Sequence, residues 1–208
     1  MDRPYDRKLA IGRLLALYAL LAVVLAFARP TPLGVSIGFA IAAAGEILRF
    51  WAAGHLQKNS PLVTSGPYRY TRNPLYLGRL LIFTGICVMA RLPYGLSWAV
   101  MALGYAAFFG YYLPRKERVE TARLLAAHGE PFRRYRLAVP AFFPSFRPFP
   151  EQASAGWSSD RMLRNREHWM VLGVLAVSLF LLWRAYARVP LDADFEPLPP
   201  PAAEGTPR

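Results

Sequence analysis

The sequence predicts an all-α protein, a polytopic bundle of about five transmembrane helices with an amphipathic helix on the cytoplasmic side. Two observations carry this prediction. Of the 208 residues, 54% are hydrophobic and the net charge is +12, a combination of apolar and basic character that soluble domains of this size seldom show. The hydrophobic residues are also concentrated in runs of about 20, the length that crosses the hydrocarbon core of a bilayer.

The apolar runs give the membrane elements in order. They cover residues 9–28, 33–54, 75–90, 93–113 and 168–187. The third run is short and carries Arg79, which we expect to snorkel to the interface or to lie against neighbouring helices. Turns at residues 30–32 and 91–93 make antiparallel hairpins of the runs on either side of them. The first run also resembles a signal peptide, so its removal stays open as an alternative.

Several further segments follow the fourth run. Residues 115–135 have the pattern of a mixed-charge helix interrupted near Gly129, which would lie on the membrane surface or extend the fourth span. Residues 139–150 are rich in Pro and Phe and cannot form a helix interior. The predicted organisation is therefore a membrane core at 1–150, a polar linker at 151–167, an additional span at 168–187 and a disordered, proline-rich tail at 188–208.

The distribution of charge predicts the orientation. Most of the 25 Lys and Arg residues fall on one side of the membrane if the N-terminus is inside. The positive-inside rule then makes the N-terminus and the loop after the second span cytoplasmic and the C-terminal tail external. Attraction to anionic lipid accounts for the basic charge, and we find no nucleic-acid motif. Cys87, the only cysteine, is expected to be a packing thiol in the third span.

The loop at residues 62–80 carries the candidate chemistry. Its sequence, LVTSGPYRYTRNPLYLGRL, combines a Ser-Gly-Pro turn with tyrosines and arginines, and Pro74 begins the next helix. Backbone amides, aromatic faces and guanidinium groups together suit a ligand with a planar base and a carboxylate. The alternative is that the arginines only follow the positive-inside rule and that the tyrosines form an aromatic belt.

Charged residues outside the loop are candidate partners for it. Glu46 and Arg49 lie three residues apart on one face of the second span, which predicts an ion pair near the interface or a functional site. Glu120 lies just below the fourth span, in a helix of mixed charge. Because the hairpins bring the inner ends of the second to fourth spans together, we predict that Arg49, Tyr76 and Glu120 converge on one cavity.

The loop, a following helix with an acidic residue, Tyr135 and the VPAFFP of residues 139–144 together resemble the isoprenylcysteine carboxyl methyltransferase family. That family is related to the phospholipid methyltransferases. Its members are polytopic membrane enzymes that use S-adenosylmethionine, and the usual form of their loop is LVTSGPYRYVRHPMYLG. The resemblance covers about residues 43–145. It implies methyl transfer to a lipid-like acceptor, most of all to the carboxylate of a prenylated one.

The resemblance also implies roles for individual residues. Arg49, together with Arg115 or Lys116, would bind the acceptor carboxylate. Tyr76 would lie near the transferring methyl group, and Glu120 would hold the amino end of the cofactor. The residues that correspond to the cofactor pocket are Leu62, Val63, Gly66, Tyr68, Arg72, Asn73, Pro74, Tyr76 and Glu120.

The chain departs from the family pattern at a few positions. Asn73 replaces a histidine, and an amide can hydrogen-bond a ligand but cannot titrate. The other departures are Glu120-Thr121 for a pair of glutamates, and His128-Gly129 and Phe132 for Phe-Gly and a tyrosine.

These departures leave two alternatives to carboxyl methylation. One is N-methylation of an amino phospholipid, for which Glu46 would be a better acceptor contact than Arg49. The other is a non-catalytic membrane scaffold of the same fold. We predict no metal site, because the three histidines of the sequence are scattered without the spacing of metal ligands.

Overall fold

A computed structural model describes residues 7–57, 62–150 and 156–187 of the chain. Within these ranges every regular element is helical, which confirms the predicted all-α class. Three stretches are long and apolar enough to cross a membrane, and two shorter apolar helices accompany them. The long ones are Pro32–His55, Pro93–Ala138 and Glu167–Tyr186, and the shorter ones are Tyr18–Phe27 and Pro74–Ala90. The protein is therefore an integral membrane helix bundle.

The helices follow the predicted order. They are α1 (Arg7–Phe27), α2 (Pro32–His55), α3 (Pro74–Ala90), α4 (Leu96–Ala107), α5 (Leu113–Ala138), α6 (Ser159–Arg164) and α7 (Glu167–Tyr186). A π turn at Phe108–Tyr112 joins α4 to α5 without a break. Of the two arrangements predicted for residues 115–135, the extension of the fourth span is therefore the one formed. The predicted interruption is present at Gly129, where φ is 53°.

Local signals set the ends of the hairpin helices. Thr31 caps α2, because its hydroxyl accepts a hydrogen bond from the Gly34 amide at 3.2 Å, and Pro32 follows at the first helical position. Pro74 occupies the same position in α3. Arg91 ends α3 in a left-handed conformation with φ of 41°. Capping and proline chemistry thus place α2 and α3 where the apolar pattern predicts them.

Glycines bring α2 and α3 into backbone contact. A Cβ built on Gly45 would lie 2.6 Å from the carbonyl oxygen of Gly78, and one built on Gly38 would lie 2.5 Å from that of Gly85. Cβ atoms do not come this close to other atoms in real structures, so a larger residue at these positions would push the helices apart. The contact also places the Arg49 side chain on Gly78, since a Cβ there would lie 2.4 Å from Cγ of Arg49.

The last helix, α7, completes the membrane core. Its buried Leu181 and Ala185 pack with α2 and α3 in one hydrophobic cluster. Its Arg184 donates hydrogen bonds of 2.7 Å to the carbonyl oxygens of Leu25 and Ala26, at the end of α1. The additional span is therefore an integral part of the bundle.

The segment before α7 contacts the end of α2 over its described residues, 156–166. Trp157 lies on Gly54 and stacks on Phe50 with ring centroids 5.4 Å apart. Arg161 and the Ser158 amide both donate to the Gly54 carbonyl, at 2.8 and 3.0 Å. These contacts satisfy backbone acceptors that the end of α2 leaves open. The tail predicted at 188–208 lies outside the described residues, as do residues 1–6, 58–61 and 151–155.

Candidate functional site

The loop between α2 and α3 begins with a turn that is fitted to the end of α2. Gly66 has a φ of 58°, and a Cβ built on it would lie 2.3 Å from Cδ2 of His55. The Nδ1 atom of His55 lies 2.9 Å from the Ser65 hydroxyl. Only glycine combines this backbone conformation with so close an approach. Gly66 therefore shapes the turn.

The second half of the loop is fastened to residues 139–150. The Ser145 amide donates to the Tyr70 carbonyl at 2.8 Å. Three loop side chains donate to backbone carbonyls of the segment: Arg69 to Phe149 at 2.8 Å, Thr71 to Phe142 at 2.8 Å and Arg72 to Val139 at 3.1 Å. The proline-rich segment therefore acts as a brace that fixes the loop against α5.

A cavity of about 680 Å³ lies between this loop, the end of α2 and α5. Its volume falls within the range of small-molecule and cofactor sites. The residues predicted for the cofactor pocket that line it are Leu62, Val63, Tyr68, Arg72, Asn73 and Glu120. Six residues chosen from the loop and α5 are thus brought to one cavity.

Asn73 joins the loop to α5 at the polar side of the cavity. Its side-chain amide donates to the carbonyl oxygen of Ala141 at 2.8 Å and to Glu117, and its oxygen accepts from Lys116. The residue is 4% exposed. Where the family pattern has histidine, this chain thus has a cross-link that uses both ends of an amide.

The charged side chains of the cavity form a partly exposed network. Arg72 pairs with Glu117 at 2.9 Å, and their side chains are 13% and 21% exposed. Lys116 pairs with Glu120 one turn further along α5, at 18% and 35% exposed. Because every member keeps some access, a ligand with both an ammonium and a carboxylate group can compete for these partners.

An apolar, aromatic wall faces this network. Leu62, Phe132 and Tyr135 are buried together in one cluster, and Leu124 packs against it. The Tyr135 hydroxyl donates to the Tyr68 carbonyl at 2.7 Å. Burial raises the pKa of the Tyr68 phenol above its usual range, so this side chain stays neutral at physiological pH.

Other predicted residues lie next to the cavity without lining it. Tyr76 is separated from it by Lys116, whose ammonium nitrogen lies 4.4 Å from the Tyr76 ring centroid. Gly66 and Pro74 shape the loop and the start of α3. Arg115 donates to the Tyr111 hydroxyl at 2.7 Å on the exposed surface.

Arg49, like Tyr76, does not line the cavity with Glu120, so the predicted convergence on one cavity is corrected. It is 2% exposed and donates to the Leu75 carbonyl at 3.1 Å and to a carboxylate oxygen of Glu167. The pairing predicted between Glu46 and Arg49 is likewise replaced by a pair between Arg49 and Glu167. Glu167 of α7 contacts a terminal nitrogen of the Arg49 guanidinium, while Glu46 lies one turn before Arg49 on α2.

Several residues that line the cavity were not among the predicted site residues. Glu117 and Phe132 lie on the face of α5 that meets the loop, and Leu56 and Gln57 extend from the end of α2. The spacing of three residues between Glu117 and Glu120, one helical turn, is the signal that could have added Glu117. Within the described ranges, no group of three or more His, Cys, Asp or Glu side chains is placed to hold a metal ion.

The fold and the cavity define an integral membrane protein with a cavity of small-molecule size at the ends of its spans. Residues 35–113 match the family described as phospholipid methyltransferase, one of the isoprenylcysteine methyltransferase-like membrane methyltransferases. This part of the chain is therefore similar to that family, and the resemblance drawn from the loop is confirmed. The match covers the loop but ends before Glu117 and Glu120.

Two curated relatives carry names from metal resistance. The chain is 37% identical over 116 residues to the cobalt-zinc-cadmium resistance protein CzcN of Cupriavidus metallidurans, covering 55% of this chain and 50% of the relative. It is 28% identical over 109 residues to the nickel-cobalt-cadmium resistance protein NccN of Alcaligenes xylosoxydans xylosoxydans, covering 51% and 47%. The chain thus spans about half the length of these relatives. No solved structure matches the chain significantly.

Proposed function

We propose that the cavity binds S-adenosylmethionine and that the protein transfers a methyl group to a lipid-like acceptor. The observation that carries the proposal is the two-sided lining of the cavity. An apolar wall with Leu62, Tyr68 and Phe132 faces a polar wall with Glu117 and Glu120. An adenine ring and a zwitterionic amino acid require these two kinds of surface. The family match over the loop supports the same reading.

The donor set fits the cofactor group by group. Glu120 and Glu117 are carboxylates within a turn of each other that would hold the amino group, and Arg72 would hold the carboxylate. Neutral Tyr68 and the adjacent apolar side chains would hold the adenosine. Asn73 is a positioning residue in this scheme, because it ties Lys116 and Glu117 to the loop.

The proposed methyl transfer requires little covalent chemistry from these residues. The bound cofactor would supply a methyl group already activated on a sulfonium. The protein needs to align an acceptor with it and to exclude water, and such positioning can supply much of the rate acceleration. The brace of residues 139–150 and the aromatic wall are suited to that task.

For the acceptor we propose a carboxylate carried by a lipid. Arg49 forms a buried ion pair with Glu167, so this proposal depends on other cations. Arg79 lies over the ring of Tyr76 at 5.2 Å from its centroid, and Arg115 lies beside Tyr111. Guanidinium groups held against aromatic rings at a membrane interface suit an anionic lipid head.

The second candidate acceptor is the amine of a phospholipid. The description of the matched family as phospholipid methyltransferase favours it. Glu46, the acceptor contact expected for this reaction, does not line the cavity.

For the orientation we propose that the cavity opens to the cytosol, with α7 ending outside. The segments that border the cavity carry a large share of the Lys and Arg residues, as the positive-inside rule requires.

Cofactor binding is tested by calorimetry on the full chain in neutral detergent. We expect Glu120→Ala to weaken S-adenosylmethionine binding at least tenfold, because it removes a charged partner from the cavity. Glu130→Ala is the matched control, since Glu130 is an exposed acid on the same helix whose described ion pair, with Arg133, spans 3.7 Å at the surface. Equal affinities for both variants and the unaltered chain would remove the basis of the proposal, as would a failure to bind the cofactor at all.

The acceptor is identified by the stability of the transferred label. Membranes that contain the protein are incubated with S-adenosylmethionine labelled in its methyl group, and the lipid fraction is treated with base. Release of labelled methanol indicates a methyl ester and supports the carboxylate. Label that withstands base indicates methylation of an amine.

A further inference from the structure

A second cavity lies at the opposite end of the bundle from the proposed cofactor cavity. Its volume is about 670 Å³, and it is bordered by the start of α2, the end of α3 and the start of α4. Thr31 borders this cavity and Leu56 borders the other, so α2, which has 24 residues and a length of about 36 Å, separates them. What this cavity binds is therefore independent of methyl transfer.

Two arginines line this cavity at the turns between the helices. Arg29 follows α1, and Arg91 ends α3. The Arg29 amide donates to the Ala90 carbonyl at 2.9 Å, which places the two turns side by side. Both arginines are exposed, so a ligand can reach them, and a guanidinium keeps its charge at physiological pH. Because helix ends lie at the level of the lipid head groups, the cavity has a permanent positive charge at that level.

These two charges lack a described counter-ion. The described residues that line the cavity include no Asp or Glu. Within residues 7–57, 62–150 and 156–187, neither arginine belongs to an ion pair. The balancing negative charge has to come from solvent, from the membrane or from the remainder of the chain.

The wall of the cavity below the arginines is apolar. Ile37, Val88 and Met101 line it, and Leu33 and Trp98 at its edge are 71% and 65% exposed. Exposed apolar side chains on the spanning helices of a membrane protein face lipid. The cavity therefore joins a cationic rim to an apolar wall that an acyl chain can enter from the bilayer.

We propose that this cavity binds an anionic membrane phospholipid, whose phosphate pairs with Arg29 and Arg91 and whose acyl chain lies against the apolar wall. Guanidinium groups bind phosphate oxygens through paired, charge-assisted hydrogen bonds. Basic pockets between spanning helices suit anionic head groups for this reason. A free phosphate ester would satisfy the arginines but leave the apolar wall uncovered, whereas a lipid satisfies both.

The test is native mass spectrometry of the full chain, released from a neutral detergent and titrated with phosphatidylglycerol or with phosphatidylcholine of the same acyl chains. We expect one phosphatidylglycerol per chain, bound at least about tenfold more tightly than phosphatidylcholine. The double variant Arg29→Gln, Arg91→Asn should abolish this preference. Asparagine tolerates a left-handed backbone, so it suits position 91, where φ is 41°.

The matched control is the double variant Arg118→Gln, Arg136→Gln, which removes two exposed arginines of α5 and should keep the preference. Equal binding of the two lipids by the unaltered chain overturns the proposal, as does an equal loss in the control. Displacement of the lipid by the same concentration of glycerol 3-phosphate would identify a free phosphate ester as the ligand, and would overturn the lipid as the occupant.

Fluorescence quenching in phosphatidylcholine vesicles tests the location. Phosphatidylglycerol with brominated chains, at a low mole fraction, should quench tryptophan fluorescence more than brominated phosphatidylcholine at the same fraction. Trp98→Phe should remove this difference, because Trp98 lines the cavity. Trp169→Phe should keep it, because Trp169 is an exposed residue near the start of α7, at the other end of the bundle. A difference that persists without Trp98 overturns the assignment to this cavity.

The sequence after α7 contains a competing source of negative charge. The end of α7 lies at this side of the bundle, where Arg184 bonds to the end of α1, and Asp192, Asp194 and Glu196 follow it in the sequence. We expect the preference for phosphatidylglycerol to be the same when these three acids are replaced by their amides. A preference that arises only in that variant would assign the arginines to the tail and overturn the proposal.

Discussion

Two clusters of opposite charges in this protein share their chemistry and differ in burial. The pair of Arg49 and Glu167 has side chains 2% and 7% exposed, whereas the side chains of the cavity network are 13% to 35% exposed. A fully buried pair cannot exchange its partners for a ligand without leaving a bare charge in the membrane. A partly exposed network can exchange its partners for a ligand. Burial, and not residue type, thus separates the cluster that joins helices from the one suited to binding.

The largest effect is expected from removing one member of the buried pair. Glu167→Ala leaves the Arg49 guanidinium buried without its carboxylate, and we expect the free energy of unfolding to fall by about 3–5 kcal/mol. Denaturation with sodium dodecyl sulfate in mixed micelles measures this. The exposed control Glu130→Ala should change it by about 0.5 kcal/mol or less.

The double variant Arg49→Leu, Glu167→Leu sharpens the same comparison. It removes both charges, so we expect most of the lost stability to return. If Glu167→Ala is as stable as the control, the pair does not hold the bundle together and the contrast with the cavity fails.

The next effect concerns the helix contact that supports Arg49. Gly45→Ala puts a Cβ 2.6 Å from the Gly78 carbonyl oxygen, and we expect the free energy of unfolding to fall by about 1–3 kcal/mol as the helices separate. Gly173→Ala is the matched control, because a Cβ on that α7 glycine meets nothing within 4 Å. Alanine is the better helix former, so the control should be neutral or slightly stabilising. Equal effects at both sites would show that α2 and α3 are not in backbone contact.

A change in the cavity network should alter binding more than stability. Glu117→Gln removes the charge that pairs with Arg72 but keeps an acceptor for Asn73. We expect a stability loss below about 1 kcal/mol, because both partners are partly exposed. The affinity for S-adenosylmethionine should fall about tenfold, or 1.4 kcal/mol. A large stability loss with unchanged affinity would reverse the roles assigned to the two clusters.

The smallest effect is a change in alkaline stability at Tyr68. Burial raises the pKa of this phenol above its ordinary value of 10.0, so the folded chain keeps the proton where the unfolded chain releases it. Its contribution to stability is complete below about pH 10 and decreases as the pH rises above that value. Tyr68→Phe should therefore lose less stability than the unaltered chain between about pH 9 and pH 11. The exposed Tyr94→Phe should follow the unaltered chain.

Much of the fold and six of the sixteen residues that line the cavity could be predicted from the sequence. The length of the apolar runs predicted the helices, and the order of residues from Leu62 to Asn73 predicted the loop and its place beside α5. These features depend on neighbours in the chain, so short patterns carry them. The interruption at Gly129 was predictable for the same reason.

Features that depend on distant pairing were not predictable. Arg49 was assigned to the site because its partner, Glu167, lies at the start of a helix that the family pattern does not include. Trp157 gave no sign that it would cover the end of α2, because a polar segment was expected there. One sequence shows that a buried charge needs a partner, but not which distant residue supplies it.

The pair of Arg49 and Glu167 also has a consequence for biosynthesis. The two residues are 118 positions apart in the chain. At synthesis rates of about 5–20 residues per second, α2 enters the membrane on the order of ten seconds before its carboxylate partner exists. During that interval the guanidinium has to stay near the lipid headgroups or be held by the insertion machinery. The synthesis of α7 therefore decides when α2 can reach its final position.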